Sequence, residues 1–295
     1  MTVRRLFIFG LGYTALRLAA RLRGEGWEIA GTTRGAERAA ALRDRGIMAY
    51  TFDRDNPLAD PAATLADVTH LIISVPPDAK GDPVLDRCGP AIAGHKGIEW
   101  AGYLSTTGVY GDTGGEWVSE ASWLRPTGER QKRRVQAERG WLDLYRQRGL
   151  PLHVFRLSGI YGPGRSAIDN LRDGSAKRID KPGHVFCRIH VDDIGETLLA
   201  SMARPNPGGV YNVADDEPAP QHEVVAYAAG LLGVEPPPLI PFADAKLSEM
   251  AASFYADCRR VKNARIKEKL GVKLRHPDYR SGLAAQLAEE AAAGR

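Results

Sequence analysis

Gly10-Leu11-Gly12-Tyr13-Thr14-Ala15 spells G-x-G-x-x-A directly behind the apolar run Leu6-Phe7-Ile8-Phe9. This spacing suits a dinucleotide pyrophosphate. Gly10 permits a tight turn, Gly12 lets the backbone approach the phosphates, and Ala15 allows close helix–strand packing. Leu11, Tyr13 and Thr14 complete the loop, and the helix it opens directs its first N–H groups at negative charge. Sites that prefer NAD carry an acid about 20 residues further on, to hold the ribose hydroxyls. Here that place reads Gly31-Thr32-Thr33-Arg34, with no acid. Thr32 and Thr33 can hydrogen-bond a 2′-phosphate and Arg34 can pair with it bidentately, so NADP is expected in preference to NAD. Asp53 is placed either to touch the adenine or to cap the turn Asp53-Arg54-Asp55-Asn56-Pro57. Ser74, Val75 and Pro76, where a further apolar run ends, join the expected cofactor-binding set.

These residues need elements to hold them. Trp27 to Thr32 reads as a second strand, Ile47 to Phe52 as a third and Val68 to Val75 as a fourth; a fifth ends at Tyr103-Leu104-Ser105-Thr106, and Leu152 to Leu157 is a sixth. Helical spacing of Ala15, Leu18, Ala19 and Leu22 follows the first strand, Ala36 to Arg45 reads as a helix, and a long charged helix runs roughly from Gly128 to Arg148. Such alternation implies a Rossmann-type, doubly wound parallel sheet covered on both faces, an α/β fold. Beyond Leu157 the chain turns Gly- and Pro-rich. A helix from about Asp193 to Met202 and a strand Val210 to Val213 return to the alternating pattern. Helical stretches broken by Pro236-Pro237-Pro238 and Pro241 follow, and the Ala/Glu-rich tail from Leu287 is a helix or a frayed end. The expected division is residues 1–157 plus about 190–214 for the NADP-binding domain. About 158–189 and 215–290 then form a smaller C-terminal substrate-binding domain.

Composition narrows the class. The 295 residues carry 40 Lys plus Arg against 36 Asp plus Glu, a net charge of +4. That mixed surface excludes the strong basic bias of a dedicated nucleic-acid binder. Hydrophobic residues at 43% supply a full core. No apolar run approaches the roughly 20 residues that cross a bilayer, so no membrane partner is expected. The run Met1-Thr2-Val3-Arg4-Arg5 shows no small-residue cleavage site, so a signal peptide is not expected. Cys88, Cys187 and Cys258 form neither a disulfide framework nor a zinc site. The expected setting is cytoplasmic, with no metal.

Five segments in order make the chain resemble the extended and atypical short-chain dehydrogenase/reductases, the NAD-dependent epimerase/dehydratase family. They are the fingerprint at Gly10, Tyr103-Leu104-Ser105-Thr106-Thr107-Gly108-Val109-Tyr110-Gly111, Arg156-Leu157-Ser158-Gly159-Ile160-Tyr161-Gly162-Pro163-Gly164, Arg188-Ile189-His190-Val191-Asp192-Asp193 and Tyr211-Asn212-Val213. The resemblance implies a catalytic Ser or Thr, a Tyr and a Lys. The hydroxyl residue four before the Val-Tyr-Gly tyrosine is Thr106, with Ser105 its neighbour; such a donor holds a substrate oxygen by the nicotinamide. The family's Pro-x-x-x-Tyr-x-x-x-Lys-x-x-x-Glu is met by Pro126, Arg130, Arg134 and Glu138. Arginine stays protonated at working pH, so Arg130 is no proton-transferring substitute for tyrosine. Arg134 is left either to hold the ribose hydroxyls and a positive charge by the nicotinamide, or to join a solvated face with Gln131, Lys132 and Arg133. Tyr110, Tyr161 and His184 are the candidates for proton transfer. Tyr161 and Arg188 are expected toward the substrate, Arg188 facing an anion or lying on the surface. Asp193, with Glu196 three residues on, reads as a helix cap.

The resemblance implies an NADP-binding oxidoreductase or epimerase-like enzyme acting on a small polar metabolite, a nucleotide-sugar among the candidates. The alternative is a non-catalytic NADP(H)-binding redox sensor or regulator that kept the fold and lost the dyad. A small-molecule partner is expected, in a monomer or homodimer.

Overall fold

A computed structural model of the chain describes residues 4–292 and Gly294. Residues 1–3, part of the run read against a signal peptide, and Ala293 and Arg295 of the tail lie outside the described residues. The elements run β1 (Arg5–Phe9), α1 (Tyr13–Gly24), β2 (Glu28–Thr33), α2 (Ala36–Asp44), β3 (Met48–Thr51), α3 (Pro61–Leu65), β4 (His70–Ile73), α4 (Pro83–Gly94), β5 (Trp100–Thr106), β6 (Trp117–Val118) and α5 (Glu129–Arg148). They continue with β7 (Leu152–Leu157), β8 (Gly159–Tyr161), α6 (Ala167–Arg172), β9 (Arg178–Asp180), β10 (Arg188–His190), α7 (Val191–Ala203), β11 (Val210–Val213) and α8 (Gln221–Leu232). Last come β12 (Leu239–Pro241), α9 (Glu249–Ala256), β13 (Arg260–Val261), α10 (Ala264–Leu270) and α11 (Tyr279–Ala292).

The central sheet is parallel, with seven strands in the order β11-β7-β5-β4-β1-β2-β3. Phe7 lies opposite Ala30 on one side and Leu71 on the other. Leu6 to Phe9, Leu71 to Ile73 and Leu152 to Leu157 are buried throughout, the mark of strands covered on both faces. The α1 helix buries Ala15, Leu18, Ala19 and Leu22 and leaves Arg21 and Arg23 outside. Strand order reverses between β1 and β4, so the loop leaving β1 sits at the switch point where such sheets bind ligands. Among the described residues no helix is long and apolar enough to cross a membrane.

The chain separates into two compact units: Met1–Val109, Glu129–Arg156 and Leu198–Tyr211 form the first, and Tyr110–Gly128, Leu157–Thr197 and Asn212–Arg295 the second. These boundaries differ from the expected ones, chiefly over 110–128, 190–197 and 212–214. Residues 110–128 leave the first unit because they are tied to the 257–261 segment: Cys258 N–H donates to Asp112, Thr127 to Asp257, and β6 pairs with β13. Residues 190–197 and 212–214 also belong to the second unit, where Asp193 and Asn212 find their partners. The second unit contains the parallel pairs β8–β10, β9–β12 and β6–β13. Its apolar centre gathers Ile168, Val225, Ala228, Tyr279 and Leu283.

Candidate active site

Gly10 adopts φ +94°, a left-handed conformation that favours glycine, and a Cβ there would stand 3.2 Å from Val75 Cγ2 and 3.3 Å from Val75 N. The fingerprint loop is thus pressed against Ser74-Val75 at the end of β4. Gly10 N–H donates to Thr32 Oγ1 at 3.0 Å and Leu11 N–H to Thr32 O at 2.7 Å. The Thr32 hydroxyl is buried and holds the loop, which corrects its expected place at a phosphate. Leu11 likewise turns its side chain into the core and serves the loop through its backbone. Gly12 is the N-cap residue of α1, and nothing lies within 4 Å of the position its Cβ would take. That open space fronts the N-terminal turn of the helix, where an anion is favoured.

At the end of β2, Thr33 is buried and Arg34 exposed. Arg38, one helical turn later, donates from Nη2 to Leu11 O at 3.2 Å, which brings its guanidinium to the glycine loop. Sequence reasoning passed over Arg38, although the i,i+4 spacing from Arg34 is visible there. The Asp53 carboxylate accepts from the backbone N–H groups of Asp55 and Asn56 at 2.8 Å each and from Asn56 Nδ2, so it caps its own turn. Those Asn56 hydrogen bonds, with a smaller contribution from the Arg34 charge, hold its pKa below the ordinary carboxylate range.

The end of β5 separates two neighbouring hydroxyls. Ser105 is buried and donates to Glu138 Oε1 at 2.5 Å. Glu138, itself 1% exposed, also accepts from Arg156 Nη2 at 2.8 Å and Nε at 3.2 Å. Ser105 is therefore part of a buried ion-pair network, which corrects its expected catalytic place. Thr106 is only half-buried; its Oγ1 accepts Gly108 N–H at 3.1 Å, and its O–H meets no acceptor among the described residues. Arg134 donates from Nη1 to Tyr103 Oη and Leu104 O, both at 3.1 Å, and lies over the Tyr103 ring. Its Nε and Nη2 make no hydrogen bond among the described residues. Arg134 is thus half-buried at the end of β5, apart from the exposed Arg130 and Lys132.

The remaining candidates belong to the second unit. Tyr110 is fully buried and donates to Asn212 Oδ1 at 2.6 Å, so it corrects the expectation of a proton-transferring residue. Tyr161 is buried, donates to Asp278 O at 3.1 Å, and burial pushes its pKa far up. Arg188 is buried and donates to Phe186 O and Ala219 O at 2.9 Å and to Gln221 Oε1 at 2.8 Å. These internal partners tie Arg188 into the fold, a correction to the expectation that it faces a substrate anion. His184 is buried among Phe186 and Tyr255, and burial lowers its pKa. His190, Asp193 and His276 bring ligand-type atoms within 4.8 Å of one another. The Asp193 oxygens already accept the N–H groups of Arg275 and His276, at 2.6 and 3.0 Å, which closes that loop onto α7.

No family model matches the chain. The UDP-glucuronic acid 4-epimerase of Bacillus cereus, solved with NAD, superposes with a TM-score of 0.77 over 99% of this chain and 100% of its own, at 14% identity. The two chains therefore share one fold. The protein YeeZ of Escherichia coli is 25% identical over 94% of this chain and 97% of its own length. A conserved, functionally unknown protein from Silicibacter pomeroyi is 50% identical, with a TM-score of 0.89 over 97% of this chain and 99% of that one. The chain belongs to one family with that Silicibacter protein.

Proposed function

We propose that this chain is an NADP(H)-dependent oxidoreductase or epimerase-like enzyme acting on a small polar metabolite, of which nucleotide-sugars are one class. The observation that carries the reading is the Gly10–Gly12 loop at the switch point. It leaves open space before the α1 N-terminus, Arg38 reaches the loop, and the exposed Arg34 follows β2 where an acid would stand. In this reading Gly12 and the α1 N-terminus hold the pyrophosphate, and Arg34 with Arg38 holds the 2′-phosphate. Asp53 stays an anion fixed by its turn. Arg134 offers Nε and Nη2 to the ribose hydroxyls and keeps a positive charge at the end of β5. The Thr106 O–H donates to a substrate oxygen. The nicotinamide, when bound, supplies hydride transfer. The bound NAD and UDP-glucuronic acid 4-epimerase activity of the Bacillus cereus protein support a nicotinamide dinucleotide and a nucleotide-sugar as the first compounds to test.

Calorimetric titration with NADPH and NADH tests the cofactor. Tighter NADPH is expected, by about ten- to a hundredfold for an arginine–phosphate pair, and Arg34→Ala narrows the gap. Equal affinities, or tighter NADH, overturn it. A second reading, a non-catalytic NADP(H) sensor, is favoured by one observation: Arg130 is exposed at the tyrosine's place, and Tyr103, Tyr110 and Tyr161 are all buried. Tight NADPH binding without turnover on nucleotide-sugars, ketones or aldehydes selects the sensor.

A further inference from the structure

Ser105, Glu138 and Arg156 join β5, α5 and β7 through one buried carboxylate. Glu138 lies four residues after Arg134 on α5, so both project from the same face of the helix. That face meets β5 twice. Glu138 binds Ser105, and one turn earlier Arg134 binds Leu104 O and Tyr103 Oη. At the start of α5, Gln131 Cγ stands 3.3 Å from where a Gly108 Cβ would be, so the helix is close to the turn after Thr106. A helix fixed at Glu138 cannot roll about its axis without carrying Arg134 away from β5. We propose that the Ser105–Glu138–Arg156 network positions Arg134 at the cofactor, with Glu138 as the residue that acts through it. The inference rests on the reading above that Arg134 contacts the nicotinamide ribose.

A double-mutant cycle separates positioning from mere stability. Arg134→Met is expected to weaken NADPH binding about tenfold, the loss of a charged hydrogen-bonding group. Glu138→Gln and the gentler Ser105→Ala are expected to weaken it about three- to tenfold in the wild-type background. In the Arg134→Met background neither adds a further loss of affinity, while both still lower Tm. Equal losses with and without Arg134, or no loss from either variant, overturn the proposal. If Arg134→Met leaves affinity unchanged while Gly12→Val abolishes it, the proposal falls and the placement of the cofactor stands. A readout without cofactor is the guanidinium NMR spectrum of the free protein. Arg134 should show restricted, exchange-protected Nη signals in the wild type and averaged ones in Glu138→Gln and Ser105→Ala. Unchanged signals in both variants refute the positioning even if NADPH is not bound at all.

Discussion

Two adjacent hydroxyls show how little residue type says about duty. Ser105 and Thr106 are chemically near-equivalent, yet β5 turns Ser105 inward to Glu138 and leaves Thr106 at the strand end with a donor to offer. A hydroxyl already hydrogen-bonded to a buried carboxylate has no proton for a substrate. One whose oxygen accepts a backbone N–H keeps its O–H for a substrate oxygen. Turnover, once a substrate is found, should therefore fall about a hundred- to a thousandfold in Thr106→Val, or about 2.7–4 kcal/mol of transition-state stabilisation. Arg130→Ala should change it far less, because the Arg130 side chain is exposed and stays protonated. Full activity in Thr106→Val, measured as kcat/KM, removes Thr106 from the chemistry. Sequence spacing pointed to this pair of positions but could not divide them, since the division depends on Glu138 thirty-three residues away.

At the scale of elements, α1 and the loop before it were legible because glycine positions and apolar spacing coincide there. The strand Leu152–Leu157 and the helix after Gly128 also follow from pattern alone. The α4 helix was not recognised, although Asp82-Pro83 is a good start signal and Asp82 does cap Val84 and Leu85. Gly89 and Pro90 inside it obscure the periodicity, and Pro90 is retained in the helix interior. The short strand β12 was hidden in the same way by the prolines around it. Among the cofactor residues, Thr32 was misplaced because a strand-end threonine reads alike whether its hydroxyl faces solvent or a neighbouring N–H. Gly12 tests the element as a whole. Gly12→Val fills the open space before α1 without meeting protein atoms within 4 Å of the new Cβ, so the fold should survive. Thermal-shift protection by NADPH should vanish while the unliganded Tm moves little. Retained protection would place the cofactor elsewhere.

For the molecule as a whole, the division into two units could be read only in outline. The segment 110–128 joins the second unit through partners near residues 257–261, and contacts across that much sequence leave no local pattern. The second unit also holds a buried acid that no motif announces. Asp215 is 2% exposed, and the backbone N–H groups of Arg188 and Glu217 face its carboxylate without closing a well-formed hydrogen bond among the described residues; Arg188, Cys187, Tyr161 and its neighbour Asp216 surround it. Burial pushes its pKa up to about 8, while the Arg188 charge, engaged by two carbonyls and Gln221, pulls it only partly back. In the unfolded chain the same carboxyl titrates near 3.8. Below that value both states are protonated and the group costs nothing. Between about 4 and 8 the unfolded state loses its proton and the folded state keeps it, so stability falls as pH rises. The effect is on the order of a few kcal/mol. Asp215→Asn preserves the shape and removes the titration. Urea unfolding at pH 5 and pH 8 should therefore show the wild type losing stability over this interval. Asp215→Asn should lose distinctly less, and it should be the more stable of the two at pH 8. Parallel losses in the two proteins would mean that Asp215 folds already ionised, paired with Arg188, and that the pH dependence lies with other groups.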